Sequence, residues 1–463
     1  MTLTLAGIAF MPIISNAQGS LGTINIGNPD NPLKIGGLLY MDYAYKMAGD
    51  TIANKRTTTG GKAPTTEYYN LPTNYSGFNI RRAYLNVDYD VTPRIHAEVV
   101  LAHESNEDPT AGGATSANGY EVLGDNNNAM YLKYANVRYK GLFTGTDLIL
   151  GQQRTPTFAT TGGSEPTWQY RSDERTITDM AKLASSTDLG IGLEGKYMNG
   201  DLGYNLLFGN NNSAKMNETL PTSAATSPRT YADVYYKFFH KLEVQLYADY
   251  SAYNFNYDST KEKFQTSSSL VKLFVAYIDP KWCLGAEIFQ QTNTHAVNYV
   301  NGESGVLSPS AVVTTAAAGK NTAFLGNLTS STPQGISIFG RIILIQGDTS
   351  DAAKRIGRMQ DKQKGGVLSL FARYDIYNPD GNMTNALASN KTDRSKVQSN
   401  QSFITAGLDW QIGKNIHIMP NFWYTGFTQK YDGSEVSNVA GFQAQKNSTD
   451  VVARLTVYYQ FGN

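Results

Sequence analysis

The chain closes on DVVARLTVYYQFGN, Asp450 to Asn463, and this stretch decides the fold. From Val451 every second residue is apolar: Val451, Ala453, Leu455, Val457, Tyr459 and Phe461. Arg454, Thr456, Tyr458 and Gln460 alternate with them. Side chains on a strand alternate between its faces, so about eleven residues here present one apolar face and one mostly polar face. A soluble sandwich uses such strands. So does a transmembrane barrel, whose strands need about 9–11 residues to cross a bilayer.

The same alternation recurs from Lys34 onward, in segments such as NIRRAYLNVDYD from Asn79, DLGIGLEGKY from Asp188, LEVQLYADYSAY from Leu242 and NIHIMPNFWYTGF from Asn415. With the closing stretch there are sixteen. The connections decide between the two architectures. Long ones (48–74, 105–129, 156–187, 211–230) take turns with short ones such as Val91-Thr92-Pro93, Met198 to Gly200 and His240-Lys241. An up-and-down barrel in a membrane shows this rhythm, with one rim facing the cell exterior and the other the periplasm. A Greek-key sandwich has no reason to keep it. In LEVQLYADY, Leu242, Val244, Leu246, Ala248 and Tyr250 share one face, while Glu243, Gln245, Tyr247 and Asp249 share the other. The expected fold is therefore all-β: an antiparallel up-and-down transmembrane β-barrel of about sixteen strands. Tyr40, Tyr45, Tyr89, Tyr139, Tyr197, Tyr277, Tyr377 and Phe427 are expected in aromatic girdles near strand ends. The stretch QGDTSDAAKRIGRMQDKQKGG, 346–366, falls where a short turn is due; either the turn is long or the strand count slips there.

Bulk composition agrees with this reading. Lys plus Arg and Asp plus Glu each total 39, so charge implies no nucleic-acid partner. The single cysteine, Cys283, rules out an intrachain disulfide and reads as a small wall residue. No interior stretch approaches the roughly 18 apolar residues of a spanning helix. The opening MTLTLAGIAFMPIISNAQ is expected to be a secretory signal (1–17) cleaved after Ala17. A periplasmic N-terminal segment, 18–33, and the barrel, 34–463, would follow.

NIRRAYLNV (79–87), LILGQQRTPTF (148–158), the Asp188-Leu189-Gly190 strand start and LFARYDIYNPDGN (370–382) together resemble the phosphate-selective porin O/P family of Gram-negative outer membranes. The likeness runs from about Lys34 to Phe461. It implies a sixteen-stranded barrel, commonly a homotrimer in outer-membrane lipid including lipopolysaccharide, that passes small hydrophilic solutes passively. No cofactor and no enzyme activity are implied. The closing strand is similar to the C-terminal assembly signal of outer-membrane proteins, although Gly462 and Asn463 follow Phe461.

The resemblance also raises anions such as phosphate. Alternation places Arg82, Lys196, Lys237, Lys272, Arg341, Arg373 and Arg454 on the lumen face, against Asp88, Glu98, Glu194, Glu243, Asp249, Glu287, Asp375 and Asp409. Seven against eight is a balanced wall, so phosphate selectivity does not follow from a surplus of positive charge. Opposed basic and acidic walls would set up a transverse field; paired charges would merely stiffen the wall.

In sixteen-stranded porins the connection between the fifth and sixth strands folds inward and narrows the barrel. By resemblance that loop is 156–187 here, and Arg171, Asp173, Glu174, Arg175 and Asp179 are the candidates for its eyelet. Pro166 is expected to open a helix in it, with Ile177, Met180 and Leu183 on one face. The plain alternative is an outer helix with a solvated charged face.

Other motifs carry less. Asp375, Asn378, Asp380 and Asn382 have a loose calcium-loop look but lack the later bidentate Glu, so a turn is favoured. The five histidines have no zinc-binding spacing. The glycines of DLGIGLEGKY precede no helix, which removes a dinucleotide reading. The basic run Lys354, Arg355, Arg358, Lys362, Lys364 reads as a solvated loop. Two further functions compete with a porin: an outer-membrane enzyme, which would need a nucleophile constellation at the rim, and a surface protein whose barrel only anchors its loops.

Overall fold

The computed structural model of the chain describes residues 24–28, 31–49, 73–104, 122–123, 130–157, 175–181, 183–211, 228–256, 263–298, 328–345, 366–378, 400–412, 415–428 and 448–462. The first half of the wall is β1 (Asn31–Ala48), β2 (Ser76–Thr92), β3 (Ile95–Glu104), β4 (Met130–Phe143), β5 (Thr146–Arg154), β6 (Thr187–Tyr197), β7 (Leu202–Gly209) and β8 (Arg229–Phe238). The second half is β9 (Leu242–Asn256), β10 (Lys263–Ile278), β11 (Trp282–Asn298), β12 (Gln334–Ile345), β13 (Val367–Asn378), β14 (Asn400–Ile412), β15 (Ile416–Thr428) and β16 (Ser448–Phe461). Each strand pairs antiparallel with the next. β16 then pairs with β1, setting Phe461 opposite Gly37 and Arg454 opposite Ala44. The sixteen strands thus close into a barrel. Three short strands (Ile24–Asn28, Val122–Leu123 and Leu328–Ser331) extend it locally on β1, β4 and β11.

Sequence and structure differ mainly at strand ends. β1 starts at Asn31 rather than Lys34, and residues 24–28 of the expected N-terminal segment pair with it. β10 starts at Lys263, six residues before the alternation becomes visible at Ser269. Outside lipid the hydrogen-bonded ladder continues without any requirement for apolar side chains, so the period-two signal fades before the strand does. The strand count does not slip at 346–366. β12 and β13 pair directly, with Arg341 opposite Phe371. Most of that basic segment lies outside the described residues.

Burial is inverted relative to a soluble protein. On β9, Glu243, Gln245, Tyr247 and Asp249 are buried, while Leu246 is 55% exposed. Val271, Leu284 and Ile288 are likewise exposed on the outer surface of neighbouring strands. Among the outward side chains described on the wall strands there is no Asp, Glu, Lys or Arg. Such a belt faces lipid, because Arg or Lys at the bilayer midplane costs about 2–4 kcal/mol. No helix among the described residues is long and apolar enough to cross a membrane.

Two β-bulges keep this separation where strict alternation would break it. Between β1 and β2 the register shifts so that Tyr40 faces Arg82 while Met41 faces Ile80, leaving Arg81 as the extra residue. Both Arg81 and Arg82 then point inward, over the Tyr40 ring. Between β3 and β4 the register shifts at Tyr134/Leu132, so Lys133 and Tyr134 both turn inward. An extra residue on one strand re-aims its side chains, and here it keeps a cation out of lipid.

The girdle expectation needs correction at two positions. Tyr40 is buried inside the barrel against Tyr458, with ring centroids 4.6 Å apart. Tyr377 also turns inward, stacking on Phe289. Tyr45 and Tyr89 are exposed on the outside, and Tyr277 stacks on Trp282 near the short turns. The side chain of Phe427 lies outside those described. Replacing Leu246 by Arg is expected to lower barrel stability in lipid by about 2–4 kcal/mol, read as a shift in the urea midpoint of reversible folding into liposomes.

Candidate pore constriction

The connection from β5 to β6 holds the residues expected to form an eyelet. Pro166, Arg171, Asp173 and Glu174 lie outside the described residues. Arg175 and Asp179 are described: Arg175 precedes a single helical turn, α1 (Ile177–Met180), and Asp179 lies within it. Thr176 caps it, its hydroxyl accepting from the Asp179 N–H at 3.1 Å. The described helix thus opens at Thr176. Of the three residues expected on one face, Leu183 packs against the cluster of Ile177, while Met180 belongs to another. Ile177 packs with Leu207, Tyr231, Tyr247, Leu270 and Phe289 of β7–β11. Met180 packs with Ala44, Phe403, Trp423 and Val452 of β1 and β14–β16. A helix inside a closed wall meets apolar side chains on more than one side, so the one-face rule for surface helices does not apply.

Buried loop carbonyls must find donors, and wall side chains supply them. Arg373 of β13 donates to the Arg175 carbonyl and pairs with Asp375, Nε to Oδ1 at 2.8 Å. Gln291 of β11 donates to the Leu183 carbonyl at 3.0 Å. Lys272 of β10 donates to the Thr157 carbonyl, and the Thr157 hydroxyl meets Tyr247 Oη at 2.9 Å. Thr178 donates to Glu287 at 3.3 Å, and Glu287 lies 3.7 Å from Lys272. Thr155 ties the two ends of the loop together by donating to the Ser185 carbonyl at 2.6 Å.

The inward residues expected from alternation therefore divide by role. Lys272 and Arg373 are fully enclosed and hold the loop. Arg82 is partly exposed, 3.9 Å from Glu104, and within electrostatic reach of Asp179. Arg175 and Asp179 form an ion pair at 3.8 Å, and Arg175 in turn acts on Glu104. Arg454 sits deep in the wall, 3.6 Å over the Trp423 ring and 3.8 Å from Asp42. Arg341 is half-buried opposite Cys283, near the short-turn rim and apart from the loop.

Lumen charges are paired in close contacts. Arg154 clamps Glu98 through both terminal nitrogens, at 3.0 and 2.8 Å. Lys133 meets Glu104 at 2.7 Å, Arg138 meets Glu194 at 2.6 Å, and Arg229 meets Asp249 at 2.7 Å. Inward cations outside the expected set (Lys46, Arg81, Lys133, Arg138, Arg154, Arg229) are matched by carboxylates also outside it (Asp42, Glu104, Asp147, Asp188, Asp233, Asp450). The wall stays balanced. A signal for two of these was present: the adjacent arginines of NIRRAY, and the lysine of MYLKYANV placed on the face of Val137, each put a cation into lipid unless a bulge intervenes.

No family model matches the chain, and no curated relative does either. Among solved structures, the outer membrane channel DcaP of Acinetobacter baumannii superposes with a TM-score of 0.54 at 8% identity, over 94% of this chain and 99% of that one. An anion-selective porin from Comamonas acidovorans gives 0.49 at 12% identity, over 93% and 100%. The outer-membrane OmpT of Vibrio cholerae gives 0.48 at 10% identity, over 94% and 99%. At these identities the likeness is one of fold: an outer-membrane β-barrel.

Replacing Arg373 by Ala takes the ion-pair partner from Asp375 and a donor from the Arg175 carbonyl, and losing one partner of a buried ion pair costs about 3–5 kcal/mol. The loop is expected to loosen, with a larger and noisier unit conductance in planar bilayers than the parent shows.

Proposed function

We propose that the chain is an outer-membrane porin of a Gram-negative bacterium, through which small hydrophilic solutes and ions diffuse passively. It would work as a homotrimer in outer-membrane lipid, with lipopolysaccharide around its outer rim. The observation that carries this reading is the inversion of the barrel: an apolar outer belt, a charged inner wall, and a loop tethered by wall side chains. The Acinetobacter neighbour is described as an outer membrane channel, in keeping with this. The eyelet would lie between Arg175 and Asp179 of the loop and Arg82 of β2, with Lys272 and Arg373 as anchors of the loop. Arg341 and Arg454 lie away from it.

A weak preference for anions fits the layering of the charges. Formal charge is balanced, yet in several pairs the cation lies nearer water than its carboxylate. Arg154 is 46% exposed against 10% for Glu98, and Lys196 is 43% exposed against 14% for Glu194. Lys237 over Glu243 repeats the order. These three pairs turn their positive ends to the lumen; at the loop the order reverses, Asp179 being 27% exposed against 7% for Arg175, so the preference rests on the wall.

Purified protein in a planar bilayer under a salt gradient tests both statements. Stable unit steps are expected, with a reversal potential on the anion side that moves toward the cation side in Arg154→Glu. A folded barrel that carries no current would overturn the porin reading. A cation-side potential in the parent would overturn only the anion preference.

A further inference from the structure

The inward side chains divide by sector. On β8–β16 and β1 most are sealed: Tyr247, Phe274, Glu287, Arg373, Thr405 and Arg454 are all between 0% and 4% exposed, and the exceptions, Lys237 at 28% and half-buried Arg341, lie next to the short turns. On β2–β6 the end toward the long loops is also sealed, at Ala102, Glu104, Tyr131 and Lys133, but from mid-wall toward the short turns water reaches the wall. The side chains of Arg82, Asp88, Arg138, Arg154 and Glu194 are 14% to 46% exposed, and Tyr84, Asn86 and Asn136 are half-buried. The sealed residues sit at mid-wall as well as near the rims, so height along the barrel does not explain the difference.

The packing does. β1 and β9 are eight strands apart in a closed wall of sixteen, and so lie across the lumen from each other. A four-residue helix is only about 6 Å long, yet Ile177 belongs to an apolar cluster with rings on β8, β9 and β11 while Met180 belongs to one with rings on β14 and β15. Those aromatic side chains, reaching inward from both sides, fill the space that a sixteen-stranded barrel would otherwise leave open. What remains next to water is bounded by β2–β6 and by Asp179, whose side chain is 27% exposed.

We infer that solutes cross this barrel along one sector only, in a passage walled by β2–β6 and the Asp179 side of the loop, while the β8–β16 side is a closed core. The inference rests on the porin reading, because a passage needs something to pass. It has two consequences. Selectivity resides in few residues, Arg82 and Arg154 foremost, since the buried charges of the other sector never meet a solute. Substitutions on β9–β15 that keep the rings packed change stability without changing the current.

Thiol labelling tests it. In a Cys283→Ser background, Asn86→Cys and Asn136→Cys place a thiol on the water-reaching sector. Ser337→Cys and Thr405→Cys place one at buried inward positions of β12 and β14. Each folded variant in proteoliposomes is exposed to a sulfonate-bearing methanethiosulfonate and weighed by mass spectrometry, with bilayer current recorded in parallel. Rapid labelling at positions 86 and 136, with a fall in current, and at least tenfold slower labelling at 337 and 405 are expected. Comparable rates in both sectors, or faster reaction at 337 and 405, overturn the inference. The buried substitutions are nearly isosteric; should one still fail to fold, Thr425→Cys on β15, also buried and inward, takes its place. Because the mass reads access whether or not current flows, a silent barrel would refute the porin reading separately.

Discussion

Everything in this molecule depends on backbone hydrogen bonds that must be made within the chain, since lipid offers no partners. The pairing of β16 with β1 meets that demand for the two strands that would otherwise be edges. It ties residues more than four hundred positions apart, with Phe461 opposite Gly37. Such contacts are expensive in loop entropy and slow to form. The crowded seam shows in Gly37, where an added Cβ would meet the Tyr84 carbonyl and the Phe461 ring.

Closure fixes which way side chains point, and the charges follow from it. Outward positions are apolar, so every Asp, Glu, Lys and Arg described in the wall turns inward and must be solvated there or paired. Pairing dominates: Arg81 with Asp42 at 2.8 Å, Lys133 with Glu104, Arg154 with Glu98. Removing one member of such a pair costs more than the pair itself contributes, which makes the network a scaffold for the loop as much as a lining for the passage. The choice left open between a transverse field and stiffening pairs is decided by these distances in favour of pairs. Any net preference then comes from which partner lies nearer to water.

All sixteen wall strands were legible in the sequence because period-two alternation is a direct imprint of lipid on one side and polar groups on the other. Strand ends such as 263–268 were not, since beyond the lipid that imprint disappears. Tyr40 was placed in the girdle by its position near a strand end, but the alternation running through Asp42 and Ala44 puts it in the lumen. Arg175 and Asp179 came from family resemblance, and the tethers that hold them (Arg373, Gln291, Lys272) are distant in sequence, where no spacing rule reaches. Arg81 and Lys133 were readable in principle: strict alternation drives a cation into lipid at each, and a bulge is the cheap remedy.

A passive channel needs three things from such a wall: an edge-free exterior, a wetted interior, and a constriction held firmly enough to discriminate by size. The most direct measurement is the swelling of liposomes carrying the purified protein in isotonic solutions of uncharged sugars of increasing size. Swelling that is fast for the smallest sugars and falls steeply with size, with a cut-off raised by Arg373→Ala, is what a loop-narrowed passive passage predicts. No swelling with any sugar from a correctly folded barrel would contradict it.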